Sequence, residues 1–334
     1  MKLSILDQSP ISSNQSAQDA LIESMKLAQA GERLGYNRYW MAEHHDLPGL
    51  ACSAPEVVLG FIGAHTSRIR LGTGAVLLPY YKPFKVAEIH HTLGTLFPGR
   101  IDVGIGRAPG GSAEASNALS SNFLEGVWNM PKAVKDLVAF LDDAYQTENE
   151  HASLSASPVP LEAPVPWLLG TSKKSAALAA ENGLAYAFGH FMTDEDGPAI
   201  VKSYRKAFKE REKGHQAQSL AAVSAVCAET DEEAEDLALS SIIWAIQKNK
   251  GRLPSVEEAK SYPLSKEDEF AIEKMKTKMI IGNPGKVKAQ LEDLKRNYQT
   301  DEIMIVTNVY SPEDRRKSYE LIAKEVLPAN RKNA

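Results

Sequence analysis

Glu43, His44 and His45 stand side by side, directly after the short apolar run Tyr39-Trp40-Met41-Ala42 and directly before Asp46-Leu47-Pro48-Gly49. An apolar strand that discharges ionisable groups into a loop is how a barrel enzyme presents chemistry at its carboxyl rim. On extended backbone, neighbouring side chains point to opposite sides, so Glu43 and His45 share one side and His44 takes the other. A single inward imidazole changes charge near neutral pH and can serve first as base and then as acid. That arrangement suits one catalytic His44 better than a three-ligand metal cup, which would favour an H-x-H spacing with distant partners. The plainer alternative is that the three residues only hydrogen-bond at the rim.

Further stretches carry chemistry. Trp167-Leu168-Leu169 opens onto Gly170-Thr171-Ser172-Lys173-Lys174-Ser175. Strand, glycine, hydroxyls and a helix start bring free amides and the positive end of a helix dipole together, which makes a phosphate cradle. Thr171, Ser172 and Ser175 would add hydroxyl donors; the alternative is an ordinary Ser/Thr N-cap. The stretch lacks GxxxxGK[ST], so a nucleoside triphosphate is not indicated. Arg107 follows another apolar run inside Gly106-Arg107-Ala108-Pro109-Gly110-Gly111. Its guanidinium can pair with a phosphate or lie against a polarised ring, although a lone arginine is more often a surface residue. Gly104-x-Gly106 fails as a dinucleotide fingerprint because Pro109 stands at the third glycine position. Gly72 and Gly74 interrupt the apolar run 69–78 and mark either a bulge or packing point, or a place where a flat ligand approaches.

The elements that must position these residues are legible as alternation. Apolar runs at 2–6, 38–42, 69–78, 101–105, 167–169, 185–188, 220–227 and 302–306 read as strands. Between them lie helical stripes, such as Leu21, Met25 and Ala28, or Met130, Val134, Leu137, Val138 and Leu141. The run 69–78 begins with alternation and becomes continuously apolar, as a parallel strand covered on both faces would. Residues 146–166 hold four prolines and read as an irregular connection, and 198–212 as a helix. Eight strands alternating with helices, and no composition break, predict a (β/α)₈ TIM barrel with insertions, one domain over residues 1–334. A doubly wound sheet is the alternative. Residues 248–278 break the rhythm with Pro254, Pro263 and many charges, and read as an inserted, partly mobile segment.

Composition excludes other classes. With 334 residues, 43% apolar, the chain can bury a large core, and its net charge of -5 leaves no basic field to attract nucleic acid or anionic lipid. No run approaches the roughly 18 apolar residues of a membrane span. Cys52 and Cys227 make no disulfide framework, and the apolar patch near Met1 is too short for a secretory leader, so the expected location is cytoplasmic.

Several motifs in register resemble one family: Leu6 to Ile11, Trp40 to His45, Ser53-Ala54-Pro55-Glu56, Arg68 to Pro79, Pro98 to Asp102, Gly104 to Gly110 and Leu168 to Ser175. The chain resembles the bacterial luciferase-like, flavin-dependent monooxygenases, in the single-chain branch that reads Leu-Asp-Gln-Ser-Pro-Ile near its start. The resemblance implies a barrel that binds FMN at its carboxyl face, usually as reduced FMN delivered by a separate NAD(P)H:flavin reductase. Reduced flavin and O₂ would form a C4a-(hydro)peroxyflavin that oxygenates a small organic substrate. His44 matches the family's catalytic acid/base, and Arg107 with Thr171, Ser172 and Ser175 matches its phosphate-binding groups. Gly74-Ala75 matches a non-prolyl cis peptide that supports the isoalloxazine ring. A homodimer through the helices near Pro55 to Phe97 is also implied, and a deazaflavin in place of FMN is a variation within the fold. Two rivals stay open: a metal-dependent hydrolase using Glu43, His44 and His45 with His90 or His190, and a non-catalytic flavin-binding protein.

Overall fold

The computed structural model of the chain describes residues 1–147, 153–211, 213–247, 251–300 and 302–327. Its strands are β1 (Lys2–Asp7), β2 (Arg38–Met41), β3 (Arg70–Thr73), β4 (Val76–Leu77), β5 (Ile101–Gly106), β6 (Val165–Gly170), β7 (Ala185–Gly189), β8 (Ser219–Cys227), β9 (Met279–Gly282) and β10 (Glu302–Val306). They pair in the order β10-β1-β2-β3-β5-β6-β7-β8, and β8 pairs β10 to close the ring, with β4 continuing the β3 position against β5. This is the expected (β/α)₈ barrel. Every pairing is parallel, so the segments that follow the strands all emerge at one carboxyl rim.

Alternation sorts the strand residues into two layers of packing. Leu6, Trp40, Ala42, Trp167, Ala187, Ala222, Met304 and Val306 form one cluster inside the ring. Their neighbours Ile5, Tyr39, Met41, Leu168, Phe188, Val223 and Ile305 pack outward against the helices. Trp40 and Trp167 meet edge to face at the centre, 5.4 Å apart. At the amino end the interior turns ionic: Arg38 bridges Asp102 and Glu302, both at 2.8 Å, and its guanidinium lies 4.6 Å from the centre of the Trp167 ring.

The apolar run expected as one strand over 69–78 is broken in two. Gly72 pairs with Asp102 and Val76 with Ile105, so residues 73–75 face only 103–104, which is a bulge. The Gly74-Ala75 peptide bond inside it is cis, at the position the resemblance implies. The glycines also serve packing: a Cβ at Gly72 would lie 2.6 Å from the Trp40 indole nitrogen, and one at Gly74 2.7 Å from Leu6.

Three features were not legible as elements. β9 lies outside the ring and pairs with the second half of β8, Ser224 to Cys227, because nine-residue β8 outruns β7. Its four residues, Met-Ile-Ile-Gly, are too few to stand out beside a charged stretch. Residues 113–128 carry two short helices, Ala113–Leu119 and Phe123–Trp128. Within the segment expected as an insertion, 251–278 holds helices Val256–Lys260 and Lys266–Lys276, each opened by a capping box, Ser255 with Glu258 and Ser265 with Asp268. Residues 248–250 of that segment, 148–152 of the irregular connection and 212, the last of the helix expected over 198–212, lie outside the described residues; that helix spans Gly197–Ala207. No helix among the described residues is long and apolar enough to cross a membrane.

Candidate active site

β2 delivers Glu43, His44 and His45 to the rim as the alternation requires. Glu43 and His45 do share a side, with His45 Nε2 2.8 Å from Glu43 Oε1. Glu43 is 4% exposed and its carboxylate also accepts from the Leu77 amide at 2.9 Å and the Tyr81 hydroxyl at 2.5 Å. Burial, followed by that bond to Glu43, pushes the Tyr81 phenol well above its ordinary range, so it stays a donor. His44 is half-buried, and its backbone N–H donates to the Cys52 carbonyl at 3.0 Å. The Cys52 thiol is pushed up to about 12 by burial, which keeps it protonated and removes it as a nucleophile. Glu56 is nearby, and burial followed by the charge of Glu43 raises its carboxyl above the usual range.

The loop after β5 lies against this triplet. The His45 amide donates to the Gly110 carbonyl at 2.9 Å, and Gly110 takes a φ of 65°, which glycine adopts without strain. Arg107, next after β5, is exposed, and no carboxylate among the described residues pairs with it. Across the ring, Ser172 caps the helix Lys173–Glu181 and forms a capping box with Ser175. Ser175 Oγ donates to the Ser172 carbonyl at 2.8 Å and lies 3.0 Å from the Tyr186 hydroxyl. The N-cap alternative is therefore realised. It leaves the first two helical amides, those of Lys173 and Lys174, with no acceptor within their own helix.

His44, the Gly74-Ala75 bulge, Arg107 and the Thr171-Ser172 turn thus emerge at the rim from consecutive ring positions: β2, β3 with β4, β5 and β6. His190 follows β7 at the same rim, its Nδ1 2.9 Å from the Tyr298 hydroxyl, and burial and then Lys278 lower its pKa. His90 does not join them. It lies on the helix Pro83–Leu96 with Nδ1 2.8 Å from the Val86 carbonyl, and burial lowers its pKa to about 4. Among the described residues no three His, Cys, Asp or Glu side chains converge as a metal would require, so the geometry lends no support to the hydrolase rival. Sequence reasoning missed Tyr81 and Leu77 as partners of Glu43; nothing in local spacing shows that a carboxylate at 43 reaches residues 77 and 81.

Residues 1–300 match the family model described as luciferase-like monooxygenase. Over 97% of its length the chain is 42% identical to an uncharacterised protein of Bacillus subtilis, YceB, covering 99% of that protein. It is 36% identical to the N-acetyl-S-alkylcysteine monooxygenase of the same organism, over 99% of this chain and 100% of that one. The crystal structure of apo-MsnO8 superposes with a TM-score of 0.87 at 34% identity, covering 97% of both chains. The chain belongs to the luciferase-like monooxygenase family and is a flavin-dependent monooxygenase.

Proposed function

We propose that the protein binds FMN at the carboxyl rim, receives it reduced from a separate NAD(P)H:flavin reductase, and uses it with O₂ to oxygenate a small organic substrate. What supports this reading is the gathering of His44, the Gly74-Ala75 bulge, Arg107 and the Thr171-Ser172 turn on consecutive ring positions of one rim. The residues fit a flavin mononucleotide. The amides of Lys173 and Lys174, the positive end of their helix and Arg107 suit a phosphate dianion, with Thr171, Ser172 and Ser175 beside it. The turn is tight: a Cβ at Gly170 would lie 2.3 Å from Ser175 Oγ. The bulge at Gly74 and Ala75 offers backbone to the face of a flat ring. Bound and reduced, the flavin supplies oxygen activation, with one oxygen atom going to substrate and the other leaving as water. The chain's part is to orient it, exclude water and, at the His44 imidazole, hold or move the proton the reaction requires.

Titration with oxidised and reduced FMN tests the binding. Arg107→Ala should weaken FMN about 10-fold, as loss of a charge-assisted contact does, and leave riboflavin, which lacks the phosphate, unchanged. Indifference to FMN in both redox states would overturn the reading, and preference for a deazaflavin would change its cofactor. N-acetyl-S-alkylcysteines are the first substrates to assay, given the name of the 36% identical relative. Hydrogen peroxide without oxygenated product across a substrate panel would instead mean a flavin carrier.

We also propose a homodimer through the helices Pro55–Ala64 and Pro83–Leu96. Val57 and Phe61, one turn apart on the first, are 68% and 39% exposed, and Leu96 at the end of the second is 61% exposed. Phe61→Asp should convert the dimer to monomer by sedimentation; a wild-type protein that sediments as a monomer at micromolar concentration removes the proposal.

A further inference from the structure

One buried carboxylate at the rim ties the loop after β2 to strand β4 and to the turn beyond it. Glu43 leaves β2 and accepts from the Leu77 amide in β4, just beyond the bulge, from the Tyr81 hydroxyl beyond that strand, and lies 2.8 Å from His45 Nε2. His45 in turn donates its amide to Gly110, which fixes the loop that carries Arg107. The packing between these loops is close: a Cβ at Gly110 would lie 3.2 Å from the Glu43 carbonyl, and one at Gly111 2.1 Å from the His45 carbonyl. Glu43 and His45 are therefore tied to the scaffold, with His44 between them on the same short stretch of backbone. Where His44 stands relative to the bulge is set by whatever holds Glu43.

We propose that Glu43 is a positioning residue: by clamping the loop after β2 to β4 and the turn beyond it, and through His45 to the loop after β5, it fixes His44 against the flavin seat. The role rests on the flavin-dependent function proposed above. Tyr81 remains protonated and the Leu77 amide cannot ionise, so both donate to the clamp at every physiological pH. Side chains at a reacting centre tolerate little displacement; a shift of about 1 Å costs on the order of 100-fold in rate. Loss of the clamp should therefore appear chiefly in kcat; flavin affinity should fall only as far as the loop carrying Arg107 loosens, because the Thr171-Ser172 turn after β6 is not held by Glu43.

The experiment compares wild type with Glu43→Ala, Glu43→Gln and Tyr81→Phe. Without flavin, hydrogen exchange in residues 74–81 and 107–111 should quicken in Glu43→Ala, while exchange in β6 and β7 stays as in wild type. In turnover with reduced FMN, Glu43→Ala should lose about 100-fold in kcat with substrate KM within about 3-fold, and its FMN affinity should fall by less than the roughly 10-fold expected of Arg107→Ala. Glu43→Gln keeps an acceptor for Leu77 and a hydrogen-bonding group for Tyr81, so it should recover at least about 10-fold of that loss and restore slow exchange. Tyr81→Phe, which removes one donor and should fold if Glu43→Ala does not, should quicken exchange in 74–81. Wild-type exchange in both Glu43→Ala and Tyr81→Phe overturns the clamp, as does a Glu43→Gln variant that exchanges slowly yet turns over no better than Glu43→Ala. A wild-type protein that binds no FMN defeats the proposed function instead, and the exchange data still decide whether the clamp exists.

Discussion

His44→Ala is expected to cut substrate-dependent oxygenation by roughly 100-fold to 10,000-fold, the range for loss of a positioned acid/base, while FMN binds within about 3-fold of wild type. The expectation follows from how the triplet divides its work. The Glu43 carboxylate is taken up by His45, Leu77 and Tyr81, and the Nε2 of His45 by Glu43, so both are committed to holding the loop. His44 follows β2, the ring position next to the bulge, and extended-chain alternation predicts that its side chain leaves the backbone opposite Glu43 and His45. Its main chain is held by Cys52, so removing the imidazole leaves the loop in place. A loss of proton handling should also be repaired in part by added imidazole and not by His44→Gln, which keeps polarity but cannot shuttle a proton. Turnover unchanged in His44→Ala, measured as product per reduced FMN consumed, would remove His44 from the mechanism.

The sequence carried the ring and the rim well because both depend on local pattern. Six of the eight ring positions were read to within one residue, since a parallel strand covered on both faces is a short, dense apolar run; β6 was read as 167–169 because its first two residues, Val165 and Pro166, were taken into the proline-bearing connection. The other run, 69–78, was placed correctly but its interior was not, because a bulge is set by the register of the neighbouring strand and not by the residues within it. Strand β9 was lost for a related reason. It exists because β8 extends past β7, and that length difference is a property of pairing. The two helices in residues 251–278 were missed although each opens on a capping box, Ser255 with Glu258 and Ser265 with Asp268, because the prolines and charge around them read as an insertion. At the site, alternation placed Glu43 beside His45, as their 2.8 Å contact bears out. That Glu43 accepts from Leu77 and Tyr81 came only with the fold, since the contact spans 34 and 38 residues of sequence. The ionic plug at the amino end was not anticipated at all: Arg38, Asp102 and Glu302 lie in three strands whose apolar neighbours drew attention.

That plug carries the largest expected effect on stability. Asp102 is fully buried, and its carboxylate accepts from Arg38 at 2.8 Å, from Arg70 Nη2 at 2.7 Å and from the Trp40 indole at 3.0 Å. Burial alone would push the Arg38 guanidinium toward its neutral form; Asp102 and then Glu302 outweigh it and raise the pKa. Asp102→Ala would leave Arg38 with Glu302 only, strip the indole of its acceptor and open a void beside Gly72, whose own Cβ position lies 2.8 Å from Asp102 Cβ. Breaking a buried pair from one side costs about 3–5 kcal/mol, since a charge is left without its counterpart. For a chain of this size that is a fall in Tm on the order of 10 °C. Glu88→Ala, which breaks the surface pair with Lys85, should change stability by no more than about 0.5 kcal/mol. The plug lies at the amino end of the barrel and the residues proposed to hold the flavin at the carboxyl end, so the surviving folded fraction of Asp102→Ala should bind FMN as wild type does. A Tm within about 2 °C of wild type, or an FMN affinity that falls in step with stability, would show that the two ends of the barrel do not divide stability from function in this way.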